Sequence, residues 1–199
     1  MNIIIQYDSS TIGAPAGFFT AVQTAVARID ALIGNNITIT IDFGWGEVGG
    51  RPLSGSVGSS LTTPFNIPYT QVKAALIASA TTLSDIASYN ALPISDPSSG
   101  QGISVSLAQA LALQIPNLNT NYVAGYVGLS SSFNFEYNQT ASTGAYDAIG
   151  TLYHEISEVL GRTSNVTIPS SGLSILDLFR YSASEVHSLS TVGTYFSRR

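Results

Sequence analysis

The chain has 199 residues, 7 of them basic and 12 acidic, for a net charge of −5, and 44% of it is hydrophobic. A chain this apolar is not largely disordered, its length suits one domain with a sizeable core, and its lack of basic clusters argues against a nucleic-acid partner. The absence of cysteine excludes disulfides and thiolate ligands, so any metal must be held by histidine and carboxylates.

In chain order, residues 2–7 are predicted as a strand, 15–33 as an amphipathic helix capped by Gly34, and 36–43 as a strand of β-branched alternation, together a β-α-β opening. Residues 44–60 are rich in Gly and Ser and are read as a loop or irregular hairpin, and 69–90 as a helix with Thr and Ser interruptions. A loop over 95–102 precedes a short strand at 103–105 and a short helix at 107–114, stopped before Pro116. Strands are predicted at 122–129 and 133–137, with 125–132 a candidate edge strand on which an extended peptide adds. No run of ~18 apolar residues is present to cross a bilayer, no internal repeat is visible, and Met1-Asn2-Ile3 lacks the basic start of a signal peptide.

The next helix carries the chemistry. Over 145–160, apolar residues at Ala145, Ala148, Ile149, Leu152, Ile156, Val159 and Leu160 recur with a near-helical period, and Gly161 is placed to end the helix with a left-handed cap. Within it lies His154-Glu155-Ile156-Ser157-Glu158. Residues four apart share a helix face, so His154 and Glu158 are placed to grip one ion, with Glu155 beside them as general base. The zinc-protease signature H-E-x-x-H has a second His where this chain has Glu158, and carboxylate oxygen is an accepted zinc ligand. The alternative is a solvated helix face with Glu158 paired to Arg162. The third histidine of the metzincin pattern is missing, since position 164 is Ser.

These residues resemble a family of bacterial secreted proteins classed as metalloproteases, with H-E-I-S-E-V-x-G-R (His154 to Arg162) followed by L-D-L-F-R-Y-S-A (Leu176 to Ala183). Shorter parts of the resemblance are I-I-Q-Y-D-S from Ile4, A-P-A-G from Ala14, D-F-G-W-G-E-V-G from Asp42, G-Y-V-G-L-S-S-S from Gly125, and Tyr195-Phe196-Ser197. It implies an α+β, zincin-like mixed sheet with an active-site helix, in a single domain over 1–199. It also implies a secreted, extracellular hydrolase acting on peptides or proteins with one Zn ion. Family members continue beyond the Tyr-Phe-Ser step, so the chain is expected to be C-terminally shortened.

The third zinc ligand has three candidates. Asp177 follows Glu158 by 19 residues, close to the spacing of the downstream carboxylate in gluzincin-type proteases, and is the first choice. His187 is the other histidine in the chain, and Asp147 is better suited to orienting His154. For Asp177 the structural alternative is a helix cap or an ion pair with Arg180 or Arg162. Tyr181 or Arg180 is expected to stabilise the oxyanion. Two acidic ligands leave the ion a weak electrophile, so activity is expected to be low. A second function is a secreted or surface-assembled binding or structural protein with a degenerate protease site. A glycosidase using Glu155 and Glu158 is disfavoured, because carboxylates three apart on one helix do not flank a sugar bond.

Overall fold

The computed structural model describes residues 1–140, 144–168, 171–183 and 186–189. In chain order the elements are β1 (Asn2–Tyr7), α1 (Ala16–Leu32), β2 (Thr38–Trp45), β3 (Glu47–Val48), β4 (Arg51–Pro52), β5 (Gly58–Leu61), β6 (Phe65–Ile67), α2 (Tyr69–Ser79), α3 (Leu83–Asn90), β7 (Ile103–Val105), α4 (Leu107–Ala112), β8 (Gly125–Leu129), β9 (Phe135–Glu136), β10 (Tyr146–Asp147), α5 (Ala148–Val159), β11 (Leu173–Ser174), β12 (Tyr181–Ala183) and β13 (Val186–His187). Short 3-10 turns lie at Ser9–Thr11 and Leu176–Phe179. The chain is thus a mixed helix-and-strand protein, in line with the α+β expectation. It divides into two compact units, one made of Met1–Thr63 and Asn119–Leu160, the other of Pro64–Leu118 and Gly161–Arg199. No helix among the described residues is long and apolar enough to cross a membrane.

The first unit is built on a sheet of order β1-β2-β8-β5, in which β1, β2 and β8 run parallel and β5 is antiparallel to β8. Side chains alternate across a strand, so Tyr7, Phe43, Val127 and Leu129 share one face while Gln6, Asp42 and Tyr126 share the other. Helix α1 buries Phe18, Ala21, Val22, Ala25, Val26 and Ile29, a 3.6-residue stripe, and the Tyr7 ring lies 6.3 Å from both Phe18 and Phe43, which puts α1 on the first face. Helix α5 packs there too, since a Cβ on Gly125 would stand 2.8 Å from both methyls of Val159. The other face is covered in part by the β3–β4 hairpin, whose Glu47 carbonyl occupies the place a side chain at Gly128 would need. At the β1 edge the outward Ile3 N–H donates to both Asp30 carboxylate oxygens, at 3.1 and 3.2 Å, which blunts that edge.

The second unit has a three-stranded sheet, β11-β7-β6, with β6 antiparallel and β11 parallel to β7. Its core joins Ile67, Tyr69, Val72, Leu76, Ile103 and Leu178 with neighbouring apolar residues. Tyr69 is buried as a hydrocarbon body whose hydroxyl donates to the Pro93 carbonyl at 2.5 Å.

Four expectations are corrected. The strand expected at the sheet edge, 125–132, is interior: β8 lies between β2 and β5, and β5 forms the edge from within the segment read as loop or hairpin. The helix expected over 69–90 is two helices, because Thr82 and Asp85 form a capping box that starts α3 afresh. Gly34 does not cap α1, which ends at Ile33 in an extended conformation. Asp147 does not orient His154; it is the N-cap of α5 and accepts from Gly150 N at 2.9 Å. Gly161 does take the left-handed conformation, with φ 107°.

Candidate functional site

Helix α5 buries Ala148, Ile149, Leu152, Glu155, Ile156 and Val159. Glu155 therefore falls on the apolar stripe, while His154 and Glu158 lie on the adjacent, open side. The His154 and Glu158 side chains are 57% and 33% exposed, and His154 Nε2 stands 3.2 Å from Glu158 Oε1. At that distance the two groups touch directly, as an i,i+4 hydrogen bond or ion pair does, and the separation is also near the roughly 3.4 Å between two tetrahedral zinc ligands bonded at ~2.0–2.2 Å. Glu158 is held from its other oxygen, where the Ser60 hydroxyl donates to Oε2 at 2.7 Å.

The edge strand β5 makes room for Glu155. A Cβ on Gly58 would lie 2.7 Å from Thr151 Cγ2 and 3.2 Å from Glu155 Oε1, so only glycine lets this carboxylate, 8% exposed, lie against the strand. Gly58 and Ser60 thus belong to the site, and sequence reasoning missed both. The signal available was a Gly/Ser-rich segment, which reads as loop when nothing shows what packs on it.

The remaining predicted residues belong to the second unit. Asp177 is 1% exposed, and its carboxylate accepts from Ser164 Oγ at 2.6 Å, Asn165 N at 2.8 Å and Ser174 N at 2.9 Å, with Ser174 Oγ also 2.9 Å away. Ser164 engages Oδ1 and the Asn165 and Ser174 N–H groups engage Oδ2, while the Ser174 hydroxyl, with a single proton to give, lies closer to the Thr163 carbonyl, at 2.6 Å; the carboxylate thus ties the 163–165 loop to the turn after β11. His187 Nε2 lies 3.1 Å from the Ala91 carbonyl, and its ring lies against Tyr181, centroids 4.4 Å apart and planes tilted by 37°. Tyr181 and Arg180 are buried, 2% and 8% exposed. Among the described residues no group of three His, Asp or Glu side chains is arranged to hold a metal ion. Tyr195, Phe196 and Ser197 lie outside the described residues.

A second polar cluster lies on the far face of the first unit's sheet. Asp8, Asp42 and Glu47 line a pocket of about 240 Å³ with Ser10, Gly49 and Tyr126. Burial, a hydrogen bond to Asp8 and the charges of Asp8 and Asp42 push the Glu47 carboxyl up from 4.5 to about 7. Burial also raises Asp42, partly offset by the Gln6 amide donating to it at 3.0 Å. Burial acts on Asp8 in the same sense, but hydrogen bonds from Glu47 and Ser10 outweigh it and hold Asp8 below its ordinary value.

Searches of protein-family models, of curated proteins and of solved structures find no match to the chain.

Proposed function

We propose that the chain is a zinc-dependent peptidase whose catalytic centre is carried by α5 and the edge strand β5. The observation that supports this most is the His154–Glu158 pair, in direct i,i+4 contact at 3.2 Å on the open side of α5, where an ion could replace that contact with little movement of either side chain. The fit is partial: two side chains form a candidate ligand pair, and Asp177 is held by hydrogen bonds from Ser164, Asn165 and Ser174.

In this reading His154 and Glu158 would hold the ion, and the Ser60 hydroxyl, donating to Glu158 Oε2, orients the Glu158 carboxylate. A zinc ion held there would supply Lewis acidity for activating a water and polarising a carbonyl. Glu155 accepts the proton at its carboxylate, placed by Gly58 between helix and edge strand. A substrate peptide adds along β5, whose other side is paired with β8, through main-chain hydrogen bonds. Secretion, implied by the family resemblance, is part of the same proposal.

The test is zinc loading followed by elemental analysis and hydrolysis of an unstructured protein substrate. About one zinc per chain is expected, lost in His154→Ala; Glu155→Gln is expected to keep the metal and lose hydrolysis by at least ~100-fold. No zinc after loading, or unchanged hydrolysis in Glu155→Gln, overturns the reading. One observation favours a second reading, a binding or structural protein with a degenerate protease site: the described residues gather two ligand side chains and not three. Zinc binding without hydrolysis would select it.

A further inference from the structure

The β3–β4 hairpin rests on the sheet face away from α5, and it touches that face at glycines. The Glu47 carbonyl fills the place of a side chain at Gly128, where a Cβ would also stand 3.1 Å from Leu53 Cδ1. At the tip, a Cβ on Gly49 would lie 3.1 Å from Tyr126 Cγ and 3.3 Å from Leu61 Cδ1, so the tip reaches both β8 and β5. Of residues 46–53 only Val48 is buried. A two-stranded hairpin is marginal by itself, so this one keeps its shape while it is seated. The peptidase reading uses none of these contacts.

Glu47 supplies the polar anchor of that seat. Its Oε1 is buried, and among the described residues no N–H or hydroxyl group donates to it. It shares the space above Gly44 with Asp8: a Cβ on Gly44 would collide with Glu47 Oε1 and stand 3.1 Å from Asp8 Oδ2. The other Asp8 oxygen already accepts from the Ser10 N–H, at 2.7 Å, and the Ser10 hydroxyl, at 2.5 Å. A hydrogen bond between two carboxyl groups needs one proton between them, so Glu47 donates to Asp8 in its protonated form. The electrostatics agree. Burial, the bond to Asp8 and the Asp8 charge raise Glu47 to about 7, while for Asp8 burial is outweighed by the hydrogen bonds from Glu47 and Ser10. The other titratable groups facing Glu47 are Asp42 from β2 and Tyr126 from β8. Strand β5 has none, and Arg51, the hairpin's own cation, is exposed and lies outside the pocket lining.

We propose that the β3–β4 hairpin is a proton-controlled strap: one proton shared by Glu47 and Asp8 holds it on the sheet, and loss of that proton frees it from β8 and β5 while the sheet stays folded. With the proton in place the pair carries one negative charge and one hydrogen bond. Without it two carboxylates face each other beside Asp42, and no basic residue in the lining offsets them. The hold is therefore full below 4.5 and is lost as pH rises to about 7. Release uncovers Gly128, Tyr126 and Leu61. Leu61 belongs to the same strand as Gly58 and Ser60, so the strap also braces the edge of the sheet.

The test is amide hydrogen exchange of the full chain, read by NMR at about pH 5 and about pH 8 and corrected for the intrinsic rate. The Leu53 N–H, which donates to the Gly46 carbonyl at 2.9 Å, reports the hairpin; the Ala124 N–H, which donates to the Thr40 carbonyl at 2.7 Å, reports the sheet. In the wild type, protection of Leu53 is expected to fall at least about tenfold between the two conditions and to stay below that of Ala124 at both. In Glu47→Gln the side-chain amide donates to Asp8 at either pH, and the fall is expected to be less than about threefold. If Glu47→Gln does not fold, Asp8→Asn, whose amide supplies the donor from the other side, decides by the same criterion. Unchanged protection of Leu53 in the wild type, an equal fall in the folded variant, or equal protection of Leu53 and Ala124 at both pH values overturns the proposal.

Discussion

The Glu155 carboxylate lies where it does because residue 58 lacks a side chain. Gly58→Ala puts a methyl within 2.7 Å of Thr151 and 3.2 Å of the carboxylate, and its backbone is not in the left-handed region, so the effect is one of crowding. A loss of about 1–3 kcal/mol is expected from such overpacking, measured by urea unfolding. On the peptidase reading hydrolysis also falls, whereas Gly55→Ala, which meets no crowding within 4 Å but has φ 80°, tests backbone strain alone. Asp177 is a second case in which neighbours decide the role. Asp177→Asn replaces one acceptor oxygen by a donor facing Ser164, Asn165 or Ser174, and a loss of about 1–3 kcal/mol is expected. Zinc affinity is expected to be unchanged; thermal melts and zinc titration, with and without chelator, check both. A strong drop in affinity would return Asp177 to the ligand set.

At the scale of elements, the β3–β4 hairpin brings Glu47 over the sheet to Asp8 and Asp42, and its hold depends on pH. An acid whose pKa is raised on folding binds its proton more tightly in the native state, so the benefit is full below 4.5 and is lost as pH rises to about 7. Asp42, also raised, acts in the same sense, while Asp8, lowered, contributes stability that is lost as pH falls below 3.8. Stability of the wild type is therefore expected to decline from pH 4.5 to about 7 more steeply than that of Glu47→Gln. Parallel slopes in denaturant titrations across that range would refute the assignment. Elements with a strong period were legible beforehand: α1, α5, β1 and β2 follow from apolar spacing, and Gly161 marks the end of the motif helix. The start of α3 was hidden because Ser79, Thr81, Thr82 and Ser84 read as interruptions within one helix, although Thr82 and Asp85 carry the cap signature. Strand order was not legible, since edge or centre depends on pairing partners far away in sequence. The acidic pocket was missed because Asp8 is distant in sequence from Asp42 and Glu47 until the parallel β1–β2 register and the β3–β4 hairpin bring the three together.

At the scale of the whole molecule, each compact unit is assembled from two separate stretches, so the chain passes from one unit to the other three times. The sheet of the first unit has its late strand, β8, in an interior position, between β2 and β5. During synthesis this order matters. Strand β5 leaves the ribosome before any partner exists for it, and at ~5–20 residues per second the stretch of about 60 residues to β8 takes roughly 3–12 s. For that interval β5 is an unpaired strand, and Gly58 and Ser60, which place Glu155 and Glu158, belong to a segment with nothing to hold it. A chain ended at residue 118 is expected to be cleaved by protease across 58–61, where the full chain is protected. The candidate centre at His154 and Glu158 is thus among the last features of the first unit to exist, since both its helix and the pairing of strand β5 wait on residues 125–159.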